Sequence, residues 1–239
     1  MKKTEISIDF NLVLGRIIQR LNRFMVLVEI NDGVSYAHLP NSGRLPTALS
    51  LGDLAFLRKH DGRPWRKSLY SIFAVKHEGI IVIVDAQFSN FLAEKAIEYK
   101  LFIDLSDYEI AKENFKINDS KTRLDLMLKK GLEKFYIEVK SVTHVIDGVA
   151  LFPDAPTARG RKHILQLDSL SKRGFKTGIM FSVQRPDATL VKPNISVDPD
   201  FTKLLKKAVA DGVRIFTLKS IFQPPKTIRL EPNEPPFTF

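Results

Sequence analysis

Short apolar runs separated by turn formers fill residues 10–85. Phe24–Ile30 is rich in β-formers, Asn31-Asp32-Gly33 signals a hairpin, and Val34–Leu39 returns. Pro40-Asn41-Ser42-Gly43 closes that unit. Leu54–Arg58, Leu69–Lys76 and Ile80–Val84 supply further strands, with Asp61-Gly62 and Glu78-Gly79 between them. Five or six short strands with no helical period predict a small barrel, of the OB-like kind.

The period changes at Asp85. Leu92, Ala93, Ala96 and Ile97 recur at helical spacing within Phe88–Tyr99, with Ser89 or Asn90 expected as N-cap. Strands are expected at Glu113–Ile117, Arg123–Leu128 and Lys134–Val142. A helix over Thr157–Lys172 stops at Gly174, and a buried strand follows over Thr177–Val183. A second helix over Asp198–Ala210 ends at Gly212, with a last strand over Val213–Leu218. Strands alternating with helices predict an α/β core with a partly parallel sheet. The division is residues 1–85 as an OB-like β-barrel that binds nucleic acid, and residues 86–239 as the α/β domain. Pro224–Phe239 carries five prolines and reads as an extended arm for packing or for homodimer contact.

Composition narrows the function classes. The apolar residues make up 44% of the 239 and the charged ones 27%, a balance that excludes a disordered or fibrous chain. Cysteine is absent, which excludes disulfides, thiolate metal sites and a cysteine nucleophile. The longest apolar runs, such as Ile80–Val84, fall far short of the roughly 20 residues of a membrane helix. Glu5 and Asp9 interrupt the start of the chain, so a cytoplasmic location is expected. Lys and Arg total 37 against 27 acids, a net charge of +10 that favours a polyanionic partner.

The chemistry concentrates in two strands. Asp125 interrupts the apolar run that starts at Arg123, and Glu138 and Lys140 interrupt the run from Phe135 to Val142. Residues two apart in a strand share a face, so Glu138 and Lys140 point together while Ile137 and Val139 pack opposite. Pairing the strands through Lys129-Lys130-Gly131 brings Asp125 beside Glu138. Two carboxylates and an ammonium on an apolar sheet need partners. They fit Mg²⁺ (or Mn²⁺), held by Asp125, Glu138 and the Val139 carbonyl, with Lys140 acting on an ion-bound water. The alternative is an exposed edge hairpin with a cross-strand ion pair. Glu94, on the first helix, is either an outer ligand or part of a solvated face with Glu98.

The Asp…Glu-x-Lys arrangement looks like the PD-(D/E)xK nuclease signature. The segments Arg123–Leu128, Tyr136–Thr143 and Phe152–His163 closely resemble the sugar fermentation stimulation protein family, as do Leu39–Arg44, Leu51-Gly52-Asp53 and the Ala208…Gly212-Val213 pattern. The likeness spans nearly the whole chain, and Ser42 departs from it where threonine is expected. The resemblance implies an OB-like small barrel followed by a PD-(D/E)xK restriction-endonuclease-like mixed-sheet α/β core. It also implies DNA binding and a link to the regulation of sugar use. Asp125, Glu138 and Lys140 match the nuclease core by position, with Glu94 as the upstream acid.

Arg159, Lys162, His163 and Gln166 fall at i, i+3, i+4 and i+7 of the following helix, one polar stripe. Facing the acids, it contacts the scissile phosphate and orients water, with Gln166 completing the catalytic set; facing solvent, it is a basic surface. In the barrel, Arg63, Trp65, Arg66 and Lys67 mix cations with an aromatic ring, which suits a single-strand binder or a solvated loop with Trp65 over the barrel end. Arg44 follows a turn whose amides could cradle a phosphate or simply turn the chain. The reading is a metal-dependent nuclease acting on DNA through a Mg²⁺-activated water. The alternative is a non-catalytic DNA-binding regulator of sugar (maltose-type) metabolism genes that keeps the nuclease fold.

Overall fold

The computed structural model describes residues 4–31, 33–61, 68–117 and 122–239. Arg63, Trp65, Arg66 and Lys67 lie outside the described residues.

A short strand β1 (Glu5–Ser7) precedes the barrel strands β2 (Leu12–Arg20), β3 (Met25–Ile30), β4 (Gly33–His38), β5 (Leu54–Lys59), β6 (Tyr70–His77) and β7 (Ile80–Ile83). They run in the order β4-β3-β2-β5-β6-β7, and β4 also pairs with β6 through Ala37↔Tyr70. That pairing closes five strands into the OB-like barrel. Its core is apolar, with Ile17, Val26, Val28, Leu39, Leu57, Ile72 and Val82 buried. The apolar runs marked five of these strands. The sixth, β2, was missed because charged and polar residues, among them Arg16, Gln19 and Arg20, dilute its apolar signal.

Helix α1 (Phe88–Glu98) follows, then β8 (Glu109–Lys116), β9 (Arg123–Lys130) and β10 (Glu133–Val142). A small sheet is formed by β11 (Val145–Ile146), β12 (Val149–Phe152) and β14 (Leu190–Pro193). Between its strands lie α2 (Ala158–Lys172) and β13 (Lys176–Val183); after it come α3 (Pro199–Ala210), β15 (Arg214–Gln223) and β16 (Thr227–Pro232). The main sheet has the order β1-β16-β15-β13-β10-β9-β8, with β10, β13 and β15 parallel. This is the expected α/β core with a partly parallel mixed sheet.

β10 sits between β9 and β13 and is buried on both faces, as the middle strand of a sheet covered on both sides must be. Ile137 and Val139 enter the core with α1, which also takes Phe56, Phe73 and Ile83 from the barrel; Tyr136 and Val142 enter the core with α2 and α3. The barrel and the sheet thus share apolar side chains.

Three local expectations change. Ser89 and Asn90 do not cap α1: the Asp85 carboxylate accepts from the Gln87 and Phe88 amides, Ser89 donates to the Ala86 carbonyl, and Asn90 reaches elsewhere. The proline-rich end is not simply an arm. Its residues Thr227–Pro232 form β16, between β15 and β1, because the prolines flank the strand and leave its N–H groups available. The first strand, Glu5–Ser7, pairs with β16 and not with the barrel. No helix of the described residues is long and apolar enough to cross a membrane.

Candidate active site

The β9–β10 ladder runs from Glu133↔Lys130 to Ile137↔Leu126 and stops. Beyond it the Asp125 side chain replaces a ladder bond: Oδ2 accepts from the Val139 amide at 2.8 Å. Oδ1 accepts from Asn90 Nδ2 of α1 at 3.0 Å. Asp125 is thereby held at the point where the strands diverge.

Glu138 and Lys140 share the face of β10 turned toward α2. Both are buried, with Glu138 only 2% exposed. Lys140 Nζ lies 2.6 Å from Glu138 Oε1. His163 Nδ1 contacts the same oxygen, and Arg159 Nε donates to His163 Nε2 at 3.4 Å. Lys140 Nζ also lies 3.0 Å from Nδ1, but the carboxylate contact places a proton on Nδ1 as donor to Glu138, leaving Nε2 to accept from Arg159. Burial lowers the His163 pKa more than Glu138 raises it, which keeps the ring neutral and consistent with that tautomer. Burial pushes Glu138 up, but Lys140 and His163 outweigh it and hold the carboxyl below its usual range. Both neighbours bind Oε1. Among the described residues Glu138 Oε2 is buried without a hydrogen-bond partner.

The positioning comes from α2. Thr157 caps it by accepting from the Gly160 amide at 3.0 Å, and Asp198, the cap of α3, accepts from the Thr157 amide at 2.8 Å. One turn in, Arg159 and His163 lie on the face toward β10. The stripe divides there: Lys162 is exposed and outside the cleft. Gln166, one turn beyond His163, has both amide atoms buried without a partner among the described residues.

Asp125, Glu138, Lys140, Arg159 and His163 stand at the wall of a cleft of about 990 Å³ between barrel and core, and Gln166, expected in the catalytic set, does not line it. The core contributes Asn90, Asp125, Glu138, Val139, Lys140, Asp154, Arg159 and His163; the barrel contributes Arg20, Arg23, Phe24 and the 41–44 turn, including Arg44. Glu94 does not line it. It is half-buried among Glu113, Glu98 and Asp125, and burial first and those acids second raise its pKa to about 7. The α1 residue that touches Asp125 is Asn90, one turn earlier. Reading Asn90 as a cap concealed this. Asp154 and Phe24 also escaped assignment, the first in a loop and the second counted as a strand residue.

The donor set suits a hard divalent ion: carboxylate oxygens, one of them buried without a partner, and a backbone carbonyl at Val139. Among the described residues no three His, Asp or Glu side chains converge into a metal cage. An ion here would complete its shell with water and substrate oxygens, as Mg²⁺ does.

Burial, and then Glu138, raise the Asp125 pKa to about 6. The native state therefore keeps a proton that the unfolded chain releases near pH 4. The stabilising contribution is complete below that value and is lost as pH rises through 6. In chelator, the wild type should lose about 3 kcal/mol relative to Asp125→Asn between pH 4 and 7. Parallel denaturation profiles for the two proteins would contradict this.

Comparison with known proteins agrees with the two-part architecture. A family model described as the sugar fermentation stimulation protein RE domain matches residues 87–226, and one described as the SfsA N-terminal OB domain matches residues 18–84. A sugar fermentation stimulation protein homolog of Thermoanaerobacter sp. (strain X514) is 38% identical over 207 residues, covering 86% of this chain and 88% of that protein. The Acetivibrio thermocellus homolog is 38% identical over 208 residues, covering 86% and 88%. Among solved structures, Pyrococcus furiosus SfsA in complex with Ca²⁺ superposes with a TM-score of 0.87 at 28% identity, covering 95% of this chain and 96% of that one.

Proposed function

The chain belongs to the sugar fermentation stimulation protein family, and from that premise we propose that it is a metal-dependent nuclease hydrolysing phosphodiester bonds in DNA. The observation that carries the reading is the buried Glu138 Oε2, left without a partner beside Asp125 at the wall of a cleft. The Ca²⁺ complex of the Pyrococcus furiosus relative supports the binding of a divalent ion by this family.

Asp125, Glu138 and the Val139 carbonyl would hold Mg²⁺ or Mn²⁺. Such an ion supplies Lewis acidity at the phosphodiester and an acidified water as nucleophile. Lys140 and His163 fix Glu138 through Oε1, which orients Oε2 toward the ion's position. The Lys140 ammonium holds the attacking water and offsets the charge that builds on phosphorus. Arg159 steadies His163 from behind and reaches toward the phosphate. Gln166 lies behind His163, outside the cleft lining, and takes no part in the proposed chemistry.

The test is incubation with supercoiled plasmid, single-stranded DNA and RNA in Mg²⁺, Mn²⁺ or chelator. Cleavage should need the ion and disappear in Glu138→Gln. Backbone recognition also predicts a salt-dependent affinity: three phosphate contacts to a single strand give about a 20-fold loss between 50 and 200 mM salt. A flat titration would contradict it.

One observation favours the second reading, a DNA-binding regulator without turnover. Glu138 Oε1 is already paired with the Lys140 ammonium and hydrogen-bonded by His163, so the acid can persist with no ion. Tight DNA binding with no cleavage under any ion would decide for it.

A further inference from the structure

The chemical groups lie deep. Glu138 is 2% exposed and Lys140 9%, so a phosphodiester must enter the cleft to meet them. An unpaired strand, narrower and more flexible than a duplex, reaches that depth with its bases free to meet the opposite wall. Pockets of about 300–1,000 Å³ enclose a ligand of drug size. The cleft, of about 990 Å³, has room for a nucleotide or two beside these groups.

The barrel wall is furnished for such an occupant. Phe24, on the β2–β3 connection, lines the cleft with its side chain 48% exposed. Arg23 and Arg44 are exposed and line the same cleft. This wall is built and not loose. The Arg20 guanidinium donates to the carbonyls of Gly43 at 2.7 Å, Arg44 at 2.5 Å and Arg23 at 3.4 Å, tying the two loops together. Asn22 Oδ1 accepts from the Phe24 amide at 2.8 Å, and the Phe24 carbonyl accepts from Leu39.

The wall is also fastened to the core. Asp154 Oδ2 accepts from the Leu45 amide at 3.0 Å, across 109 residues of sequence. A Cβ at position 43 would come within 2.4 Å of that carboxylate, so glycine is what permits the approach. Asp154 reaches this wall from the core, and the bond engages one of its oxygens. The distance between Phe24 and Lys140 is thereby set by the fold.

We infer that the cleft takes an unpaired strand, with a base stacked on Phe24 and the flanking phosphates held by Arg23 and Arg44, so that the next phosphodiester reaches Glu138 and Lys140. The inference rests on the hydrolytic reading only for what happens to that phosphodiester. Stacking on an aromatic ring is indifferent to base identity, so the site selects strandedness and not sequence.

The experiment uses the full chain in Ca²⁺, with fluorescence anisotropy on a labelled 12-mer single strand and on the same sequence as a closed hairpin duplex. The single strand should bind at least tenfold more tightly. Phe24→Ala should weaken it roughly tenfold, and Phe24→Tyr should restore it. Arg23→Ala with Arg44→Ala should reduce the salt slope for the single strand. A 2-aminopurine in the strand should be quenched by wild type and not by Phe24→Ala. Equal affinity for hairpin and strand, or a Phe24→Ala variant that binds as wild type does, overturns the inference. The same proteins are then assayed in Mn²⁺. Intact stacking without cleavage overturns the hydrolytic reading alone, whereas cleavage of the hairpin at the single-strand rate by the wild type overturns the strand selection alone.

Discussion

Replacing Lys140 by Ala should lower metal-dependent cleavage by roughly 10²- to 10⁴-fold, the range for loss of a positioned proton-transfer or charge-stabilising group. The loss should fall on kcat, with affinity for the strand and for Ca²⁺ nearly kept, because the proposed ion oxygens belong to Asp125, Glu138 and Val139. Lys140→Arg should not restore activity. The guanidinium is planar and wider than an ammonium, and the place is confined by Glu138 and His163. Removing the amine leaves Glu138 with His163 as its remaining side-chain partner, so Lys140→Met, which keeps the aliphatic volume, is the paired variant. Thermal melts of both establish that the fold persists. Activity within tenfold of wild type in a folded variant would remove Lys140 from the chemistry.

The second large effect is on stability. Asp198 is 2% exposed and is bonded on every side. Its carboxylate accepts from the Phe201 amide at 2.9 Å, which caps α3, and from the Thr157 amide at 2.8 Å, where α2 begins. Arg161 NH1 donates to both oxygens at 2.8 Å. Burial raises the acid's pKa, but the two amides and the guanidinium outweigh it and leave it below the usual carboxylate range. Asp198→Ala removes a helix cap worth about 1–2 kcal/mol and strands a buried amide and part of a cation. The expected cost is about 3 kcal/mol by urea denaturation, or roughly 6–12 °C in Tm for a chain of this size. Asp198→Asn retains an acceptor for one amide and should cost less. Because the Thr157 end of α2 carries Arg159 and His163 toward Glu138, the Ala variant should also lose cleavage beyond its loss of folded protein. An unchanged Tm would show that α2 is held by its apolar face alone.

Much of the fold is legible along the chain because its signals are local. The alternation in the barrel strands, the helical spacing of Leu92, Ala93, Ala96 and Ile97, the capping residues Thr157 and Asp198, and the glycines after α2 and α3 act within a few residues. Gly174 and Gly212 have φ of 84° and 101°, the left-handed conformation a helix stop requires. The shared face of Glu138 and Lys140 follows equally from the two-residue repeat of a strand.

Other features depend on partners far away. β16 was hidden by its flanking prolines, and its place is set by β15 and by β1, more than 200 residues distant in sequence. Asn90 reads as a cap until the end of the β9–β10 ladder leaves Asp125 a gap that its amide can reach. Glu94 has the sequence credentials of a ligand, but the cleft passes it by.

Residue order alone therefore determined the three helices and most of the strands, the acid pair with its amine, and the stripe on α2, since each is a matter of backbone period and near neighbours. Tertiary structure decided which of these groups meet: His163 on Glu138, Asp154 on the Leu45 amide, and Phe24 opposite the acids. Those contacts join segments 25 to more than 100 residues apart. They follow from how apolar faces stack and how sheets order their strands, which no local repeat encodes.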